Sequence, residues 1–220
     1  MTPFPNRRSF LTRSALAGGL SLLAPFSRAE ASNSDLRIAV IGLRNRGKEL
    51  LNLVLKGESA RLVALCDVDP AILRERVDGL AREGVKVAAY ADYRTLCESK
   101  DIDAVIIATP NHTHVLIAVT AAANGKHVYV EKPVSHNVQE GMQLAAAQKA
   151  FGVIIQHGFQ RRSETAWSDA FEWISEGHLG KLKLARGICY KARPSIGKVR
   201  GAQLAPDGLD YDLWCGPQPR

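Results

Sequence analysis

No run in this 220-residue chain is apolar for long enough to cross a bilayer. The most apolar stretch, Ser14 to Phe26, falls short of the roughly 20 residues a spanning helix needs. Cys-x-x-Cys spacing is absent. The four cysteines, Cys66, Cys97, Cys189 and Cys215, have no histidine cluster beside them, so no metal site is expected. Cys66 and Cys189 lie in apolar, strand-like runs and read as small buried hydrophobes, although sequence leaves a disulfide after export open. Aromatics make up only 6% of the chain, and none interleave with a basic stripe, so nucleic acid is not an expected partner. No internal repeat or low-complexity tract is present, which excludes a solenoid. What remains is ordinary globular composition, 46% hydrophobic and 23% charged, with room for one good domain and part of another.

The net charge of +7 is uneven: Arg7, Arg8, Arg13 and Arg28 stand against Glu30 alone in residues 1–31. Arg7-Arg8-Ser9-Phe10-Leu11 is a twin-arginine pair followed by two apolar residues. Arg13 and Gly18-Gly19 keep the apolar core mild. Ala29-Glu30-Ala31 has the small-x-small form of a cleavage site, with Ser32 as the new terminus. Residues 1–31 therefore look like a bacterial Tat signal peptide, with a Sec signal or uncleaved anchor as alternatives. The expectations are an exported, periplasmic protein and the Tat export machinery as a partner.

From Asp35 short apolar runs alternate with amphipathic stretches. Strands are expected at Leu36 to Ile41, Leu62 to Cys66, Val85 to Tyr90, Ala104 to Ala108, His127 to Val130 and Val153 to Gln156. Helices are expected at Gly47 to Leu55, Pro70 to Arg82, His114 to Ala123 and Val138 to Phe151. Alternation at this pitch implies parallel pairing through right-handed crossovers, hence an α/β fold with a doubly wound parallel sheet over residues 34–157. After Gly158 the pattern changes. Glu164 to Glu176 reads as an amphipathic helix whose Trp167, Phe171, Trp173 and Ile174 are expected in a core. Lys181 to Tyr190 reads as a strand with Leu182, Leu184 and Ile188 alternating. One strand cannot bury its own face, so residues 158–220 are expected to begin a second, incomplete α/β domain.

Several candidate site residues fall at strand ends. Gly42-Leu43-Arg44-Asn45-Arg46-Gly47 joins the first strand to the first helix, with glycine at the first and sixth positions of a dinucleotide turn and Arg44 at the third. A helix N-terminus there offers N–H groups to phosphate, and Arg44 either adds a guanidinium or pushes a cofactor outward. Asp67 ends the second strand, twenty residues after Gly47, where a carboxylate accepts from ribose hydroxyls and repels a 2′-phosphate; capping the next helix is its alternative, and Asp69 is better placed for that. Thr109, Pro110, Asn111 and His112 follow the fourth strand and can line the nicotinamide side of a cleft, while Thr113 suits a helix N-cap. Glu131-Lys132-Pro133 follows the fifth strand. Proline stops the ladder, and a lysine there can hold a substrate hydroxyl and help take its proton. Gln160 and Arg161 reach substrate or cofactor amide, or belong to a basic interdomain linker.

Together these residues resemble the glucose–fructose oxidoreductase/inositol dehydrogenase (Gfo/Idh/MocA) family. The carriers are the Gly42 to Gly47 turn, Asp67, Ala108-Thr109-Pro110-Asn111-His112, Glu131-Lys132-Pro133 and Gly158-Phe159-Gln160-Arg161-Arg162. Tyr211-Asp212-Leu213-Trp214-Cys215-Gly216-Pro217 looks like a segment that Tat-exported members carry. The resemblance implies an N-terminal Rossmann domain that binds NAD, with NADP disfavoured by Asp67. It implies hydride transfer on a hydroxyl carbon of a sugar, cyclitol or polyol substrate. Lys132 is then the residue at the reacting hydroxyl, Glu131 places Lys132 and the nicotinamide, and Asn111 sits near the nicotinamide ribose. Members add a large sheet that makes a homo-oligomer and an Asp and a His that complete the catalytic set. These are not found before Arg220, so the expectation is a fragment able to bind nucleotide. The alternatives are an NAD-retaining redox-assisted glycosidase or isomerase, and a non-catalytic nucleotide-binding remnant.

Overall fold

The computed structural model describes residues 36–195 and 197–218, so the signal-like segment 1–31 lies outside the described residues. Six strands form one sheet: β1 (Leu36–Ile41), β2 (Ala60–Cys66), β3 (Ala88–Tyr90), β4 (Ala104–Ile107), β5 (His127–Val130) and β6 (Ile155–His157). Their order is β3-β2-β1-β4-β5-β6, and every neighbouring pair is parallel. The reversal of strand order falls between β1 and β4, where doubly wound sheets open a crevice at their carboxyl ends.

Period-two alternation divides the strands between two cores. Ala39, Ile41, Ala64, Cys66, Val105, Ile107, Val128 and Val130 face one side. There they meet α3 (Tyr93–Glu98) through Tyr93, Leu96 and Cys97, α4 (His114–Ala123) through Val115, Ile117, Ala118 and Ala121, and α5 (Val138–Phe151) through Leu144. Val40, Leu62 and Leu65 face the other side, against Leu51 of α1 (Asn45–Lys56) and Leu80 of α2 (Pro70–Arg82). At the amino edge Arg37 of β1 grips Asp103 by Nε–Oδ2 and Nη2–Oδ1 contacts of 3.0 and 2.8 Å. Arg37's hydrogen bonds hold the Asp103 carboxyl down at about 2 against the opposing effect of burial.

Local chemistry sets the ends of these elements. Asp69 caps α2 by accepting from the Ala71 and Ile72 N–H groups, and Pro70 occupies the first turn, where its missing N–H is harmless. Gly125 (φ 73°) and Gly152 (φ 65°) take the left-handed conformation that stops α4 and α5. Thr113 does not cap α4 as its sequence position led us to expect. Its hydroxyl instead donates to Pro110 O and contacts Thr109 Oγ1, because a 3-10 turn at Asn111–Thr113 runs directly into the helix.

Beyond β6 the structure departs from the sequence expectation. α6 (Thr165–Ser175) forms, but buries none of its residues; Trp167, Phe171 and Trp173 are exposed. Lys181 to Tyr190 is not a strand, and Leu182, Leu184 and Ile188 lie open. A strand needs a neighbour for its N–H and C=O groups, and none pairs with it among the described residues. Cys189 is correspondingly exposed, not buried, while Cys66, Cys97 and Cys215 are buried; none of the four is in a disulfide. Burial pushes the Cys66 and Cys97 thiols upward, the latter to about 12, which suits packing rather than nucleophilic chemistry.

The closest approach at any described glycine is at Gly47 in the first turn of α1, where an added Cβ would sit 1.7 Å from the Gly42 carbonyl oxygen. Gly47→Ala is therefore expected to lower stability by about 2–3 kcal/mol through forced backbone displacement. Urea unfolding of the variant beside the parent measures it.

Candidate cofactor and hydroxyl site

The parallel registers align the carboxyl ends of five strands: Ile41 pairs with Cys66 and Ile107, Ile107 with Val130, and Val130 with His157. The next residue of each strand continues the ladder by one bond. Gly42 N donates to Cys66 O, Ala108 N to Ile41 O, Glu131 N to Ile107 O and Gly158 N to Val130 O, at 2.7–3.0 Å. The candidate residues thus leave the sheet from one edge.

The β1–α1 turn depends on glycine at both ends. Gly42 has φ 86°, and a Cβ there would lie 2.8 Å from the Ala108 carbonyl and the Thr109 nitrogen. Arg44 stands at the N-cap of α1 in extended conformation and makes no side-chain cap. That leaves the N-terminal dipole of α1 facing the crevice, where an anion is favoured. Asp67 braces the turn: Oδ2 accepts from Leu43 N at 2.8 Å and Oδ1 from Asp69 N at 3.0 Å. A carboxylate has about four acceptor sites, so Asp67 keeps capacity for ribose hydroxyls. Arg44 turns its guanidinium to Asp69 Oδ2 at 2.6 Å, and that hydrogen bond lowers the Asp69 carboxyl.

Around this turn lies a cavity of about 420 Å³. Its lining includes Gly42 to Arg46, Asp67 to Asp69, and Thr109, Pro110 and Thr113. Glycine turn, helix terminus, ribose-type carboxylate and cavity together fit a dinucleotide's adenosine and diphosphate. Asn111 stands exposed at the start of the 3-10 turn. His112 Nε2 lies 2.8 Å from Trp214 O.

Glu131 and Lys132 lie beyond the cavity, on the next strand end. Glu131 is only 3% exposed. Its Oε1 accepts from Arg46 Nε at 2.8 Å and from the Tyr129 hydroxyl at 3.4 Å, and its Oε2 accepts from Lys132 N at 3.0 Å. Burial raises the Glu131 carboxyl, but Arg46's hydrogen bond and charge, the Lys132 N–H and Tyr129 outweigh it and leave the group below its ordinary range. Lys132 itself is exposed, ahead of a cis peptide to Pro133. Among the described residues its amine has no hydrogen-bond or ion-pair partner. The acidic and basic members of this dipeptide are therefore not a solvated ion pair: one is locked inside, the other presented.

Sequence reasoning placed Arg46 on the cofactor. In the structure Arg46 lines the cavity, and its guanidinium also spans from α1 to Glu131 at 2.8 Å and to Glu49 at 2.7 Å. Gln160 lines a separate groove of about 470 Å³ with Leu53, Val54, Ile106 and Tyr129, and Arg161 pairs with Glu164 at the surface. Neither joins the crevice. His114, 2% exposed, was missed as a bracket: Nε2 lies 2.8 Å from Thr109 O and Nδ1 2.8 Å from Pro133 O, so its ring spans the two loops that carry the site. The segment Pro206 to Trp214, which also lines the cavity, had no signal beyond its resemblance.

Arg46→Met would leave the Glu131 carboxylate buried without its cation, a loss of about 3 kcal/mol. The sign reverses with the pair. In the parent, Glu131's depressed carboxyl stabilises the fold above the ordinary carboxylate range, and that stability fades as pH falls through the folded value. In the variant, burial, the largest effect, is opposed only by the Lys132 N–H and the Tyr129 hydroxyl, so the carboxyl is raised relative to the parent and stability falls as pH rises. Melting curves from pH 5 to 8 should show the deficit widening with pH, and Arg46→Met/Glu131→Gln should remove that widening.

Comparison with known proteins agrees with this geometry. Residues 36–159, more than half of the chain, match the GFO_IDH_MocA oxidoreductase family with its NAD-binding Rossmann fold. The chain is 40% identical over 156 residues to scyllo-inositol 2-dehydrogenase (NAD(+)) of Bacillus subtilis, covering 70% of this chain and 44% of that protein. It is 31% identical over 227 aligned positions to a glycosyl hydrolase family 109 protein of Stenotrophomonas maltophilia, covering 94% of this chain and 49% of the other. It also resembles the structure of scyllo-inositol dehydrogenase from Lactobacillus casei with bound NAD(H) and scyllo-inositol. There the TM-score is 0.58 and the identity 28%, over 66% of this chain and 42% of that one. The chain spans about half the length of the curated relatives it matches. With the strand-end edge, the glycine turn and Glu131-Lys132-Pro133 in place, the chain belongs to the Gfo/Idh/MocA family of NAD-binding oxidoreductases.

Proposed function

We propose that this protein binds NAD and serves the oxidation of a secondary hydroxyl on a cyclitol or related polyol. The observation that carries the reading is the shared strand-end edge, from which both the glycine-turn cavity and the exposed Lys132 arise. Bound NAD+ supplies the acceptor for the carbinol hydrogen as hydride, giving ketone and NADH with release of the hydroxyl proton. The chain's own residues do the rest. Asp67 holds ribose hydroxyls and disfavours a 2′-phosphate by charge. The α1 N-terminus faces the diphosphate. Lys132, as the neutral amine, accepts the hydroxyl proton and hands it to solvent, and the resulting ammonium donates to the carbonyl oxygen that forms. Glu131, clamped by Arg46, fixes the backbone from which Lys132 projects. Inositol-specific relatives support the cyclitol class.

A second reading is favoured by the glycosyl hydrolase family 109 relative, whose alignment covers 94% of the chain. In that reading NAD is retained and hydride is returned to the sugar within one cycle. Export through a twin-arginine signal accords with retention, and we propose the periplasm as the location on the strength of Arg7-Arg8 and residues 14–31.

NAD is expected to raise the melting temperature of the protein and to bind at least tenfold more tightly than NADP by calorimetry. No shift at millimolar NAD removes the cofactor reading. Lys132→Met should keep NAD affinity within about twofold and lower any cyclitol-dependent absorbance at 340 nm by about 100-fold or more. Loss of NAD binding in that variant would overturn the assignment of Lys132 to the hydroxyl. Accumulation of NADH in proportion to product separates the dehydrogenase from the retaining reading.

A further inference from the structure

We infer that the segment Pro206–Gly216 is a strap that walls the adenosine half of the cofactor site, and that Trp214 is its main contact with the base. This deepens the NAD reading and rests on it.

The segment crosses the crevice from bank to bank. On the β2–α2 bank, a Cβ at Gly208 would lie 3.4 Å from the Pro70 ring. On the β4–α4 bank, Trp214 O lies 2.8 Å from His112 Nε2, and a Cβ at Gly216 would lie 2.9 Å from Thr113 Cγ2. Between these anchors runs α7 (Tyr211–Cys215), capped by Asp210 on the Leu213 N–H at 3.0 Å. Cys215 is 4% exposed, and Leu213 packs against the main core. The described residues from Glu176 to Leu204 are all exposed. Burial thus returns where the chain meets the crevice.

The cavity shows which half of a dinucleotide the strap covers. Pro206, Asp207, Leu209, Leu213 and Trp214 line it together with the glycine turn and Asp67, whereas Glu131 and Lys132 do not. The enclosed part therefore corresponds to adenine, its ribose and the diphosphate, and the nicotinamide end stays open beside Lys132. Trp214 is stacked on Tyr211 at 5.7 Å between centroids, 8° from parallel, and meets the His112 ring edge-on at 5.4 Å. An indole fixed in this way offers a flat apolar surface to a purine, since every base has a face that stacks on an aromatic ring. The strap consequently governs how tightly and how long the nucleotide is held, not the chemistry at the hydroxyl.

Trp214→Ala should weaken NAD, ADP-ribose and AMP by one common factor of about tenfold or more, mostly through faster release in stopped-flow displacement. The His112 bond uses the Trp214 backbone carbonyl and survives the change. Trp214→Phe keeps a ring and should recover most of the affinity. AMP should quench tryptophan emission in the parent and in Trp167→Phe/Trp173→Phe, but not in Trp214→Phe. Should Trp214→Ala fail to fold, the quenching comparison decides alone. Affinities within twofold of the parent, or quenching that persists in Trp214→Phe, would overturn the strap while leaving the NAD reading intact. A parent protein that binds neither AMP nor NAD at millimolar concentration would overturn both.

Discussion

The site depends on one run of backbone hydrogen bonds. Each of four neighbouring strands passes its ladder one residue beyond its last paired side chain, to Gly42, Ala108, Glu131 and Gly158. Parallel strands can share such a level only when their registers agree, and here Ile41, Ile107, Val130 and His157 stand in one row. Everything functional is then placed by the residue that follows. Glycine lets β1 turn sharply against Ala108, glutamate turns into the interior, and lysine emerges. A register slip of one residue would exchange buried and presented side chains on every strand at once.

The Arg46–Glu131 pair ties the two ends of this edge together. Arg46 belongs to the first turn of α1 and Glu131 to the end of β5, with β4 between them. A cation in a nucleotide turn is ordinarily available to phosphate. Here it also holds a buried carboxylate ionised while lining the cavity. The division of labour is clear in the exposures, with Glu131 at 3% and Lys132 open to solvent. Fixing the acid rigidly gives the neighbouring amine a defined backbone without committing the amine itself.

The sheet and most of the edge were legible because the signals are local. Apolar runs mark the strands, Asp69-Pro70 and Gly152 mark helix ends, and the Gly42/Gly47 spacing marks the turn. Readings that needed knowledge of a neighbour were less accessible. The bond from Arg46 to Glu131 cannot be read until β5 is known to end beside it. Thr113 looks like a cap until the 3-10 turn claims its hydroxyl. Lys181 to Tyr190 has a strand's alternation, but alternation says only that one face wants cover, and nothing among the described residues supplies a pairing partner. The same reasoning misjudged Cys189 and the aromatics of α6. The strap left no periodic signal at all, since its contacts are made by a five-residue helix and isolated side chains on opposite banks.

His114 adds a mechanical consequence. Its ring lies between the Thr109 and Pro133 carbonyls, and it is walled in on all sides at 2% exposure. A neutral imidazole can donate to only one of two acceptors, whereas an imidazolium can donate to both. In either state the ring is a rigid spacer, so the loop that lines the cofactor cavity and the loop that carries Lys132 cannot drift apart independently. A displacement of Thr109 on nucleotide entry would be transmitted to the backbone beside Lys132 as a push through a solid strut. The two loops are thereby held at one spacing through the His114 ring.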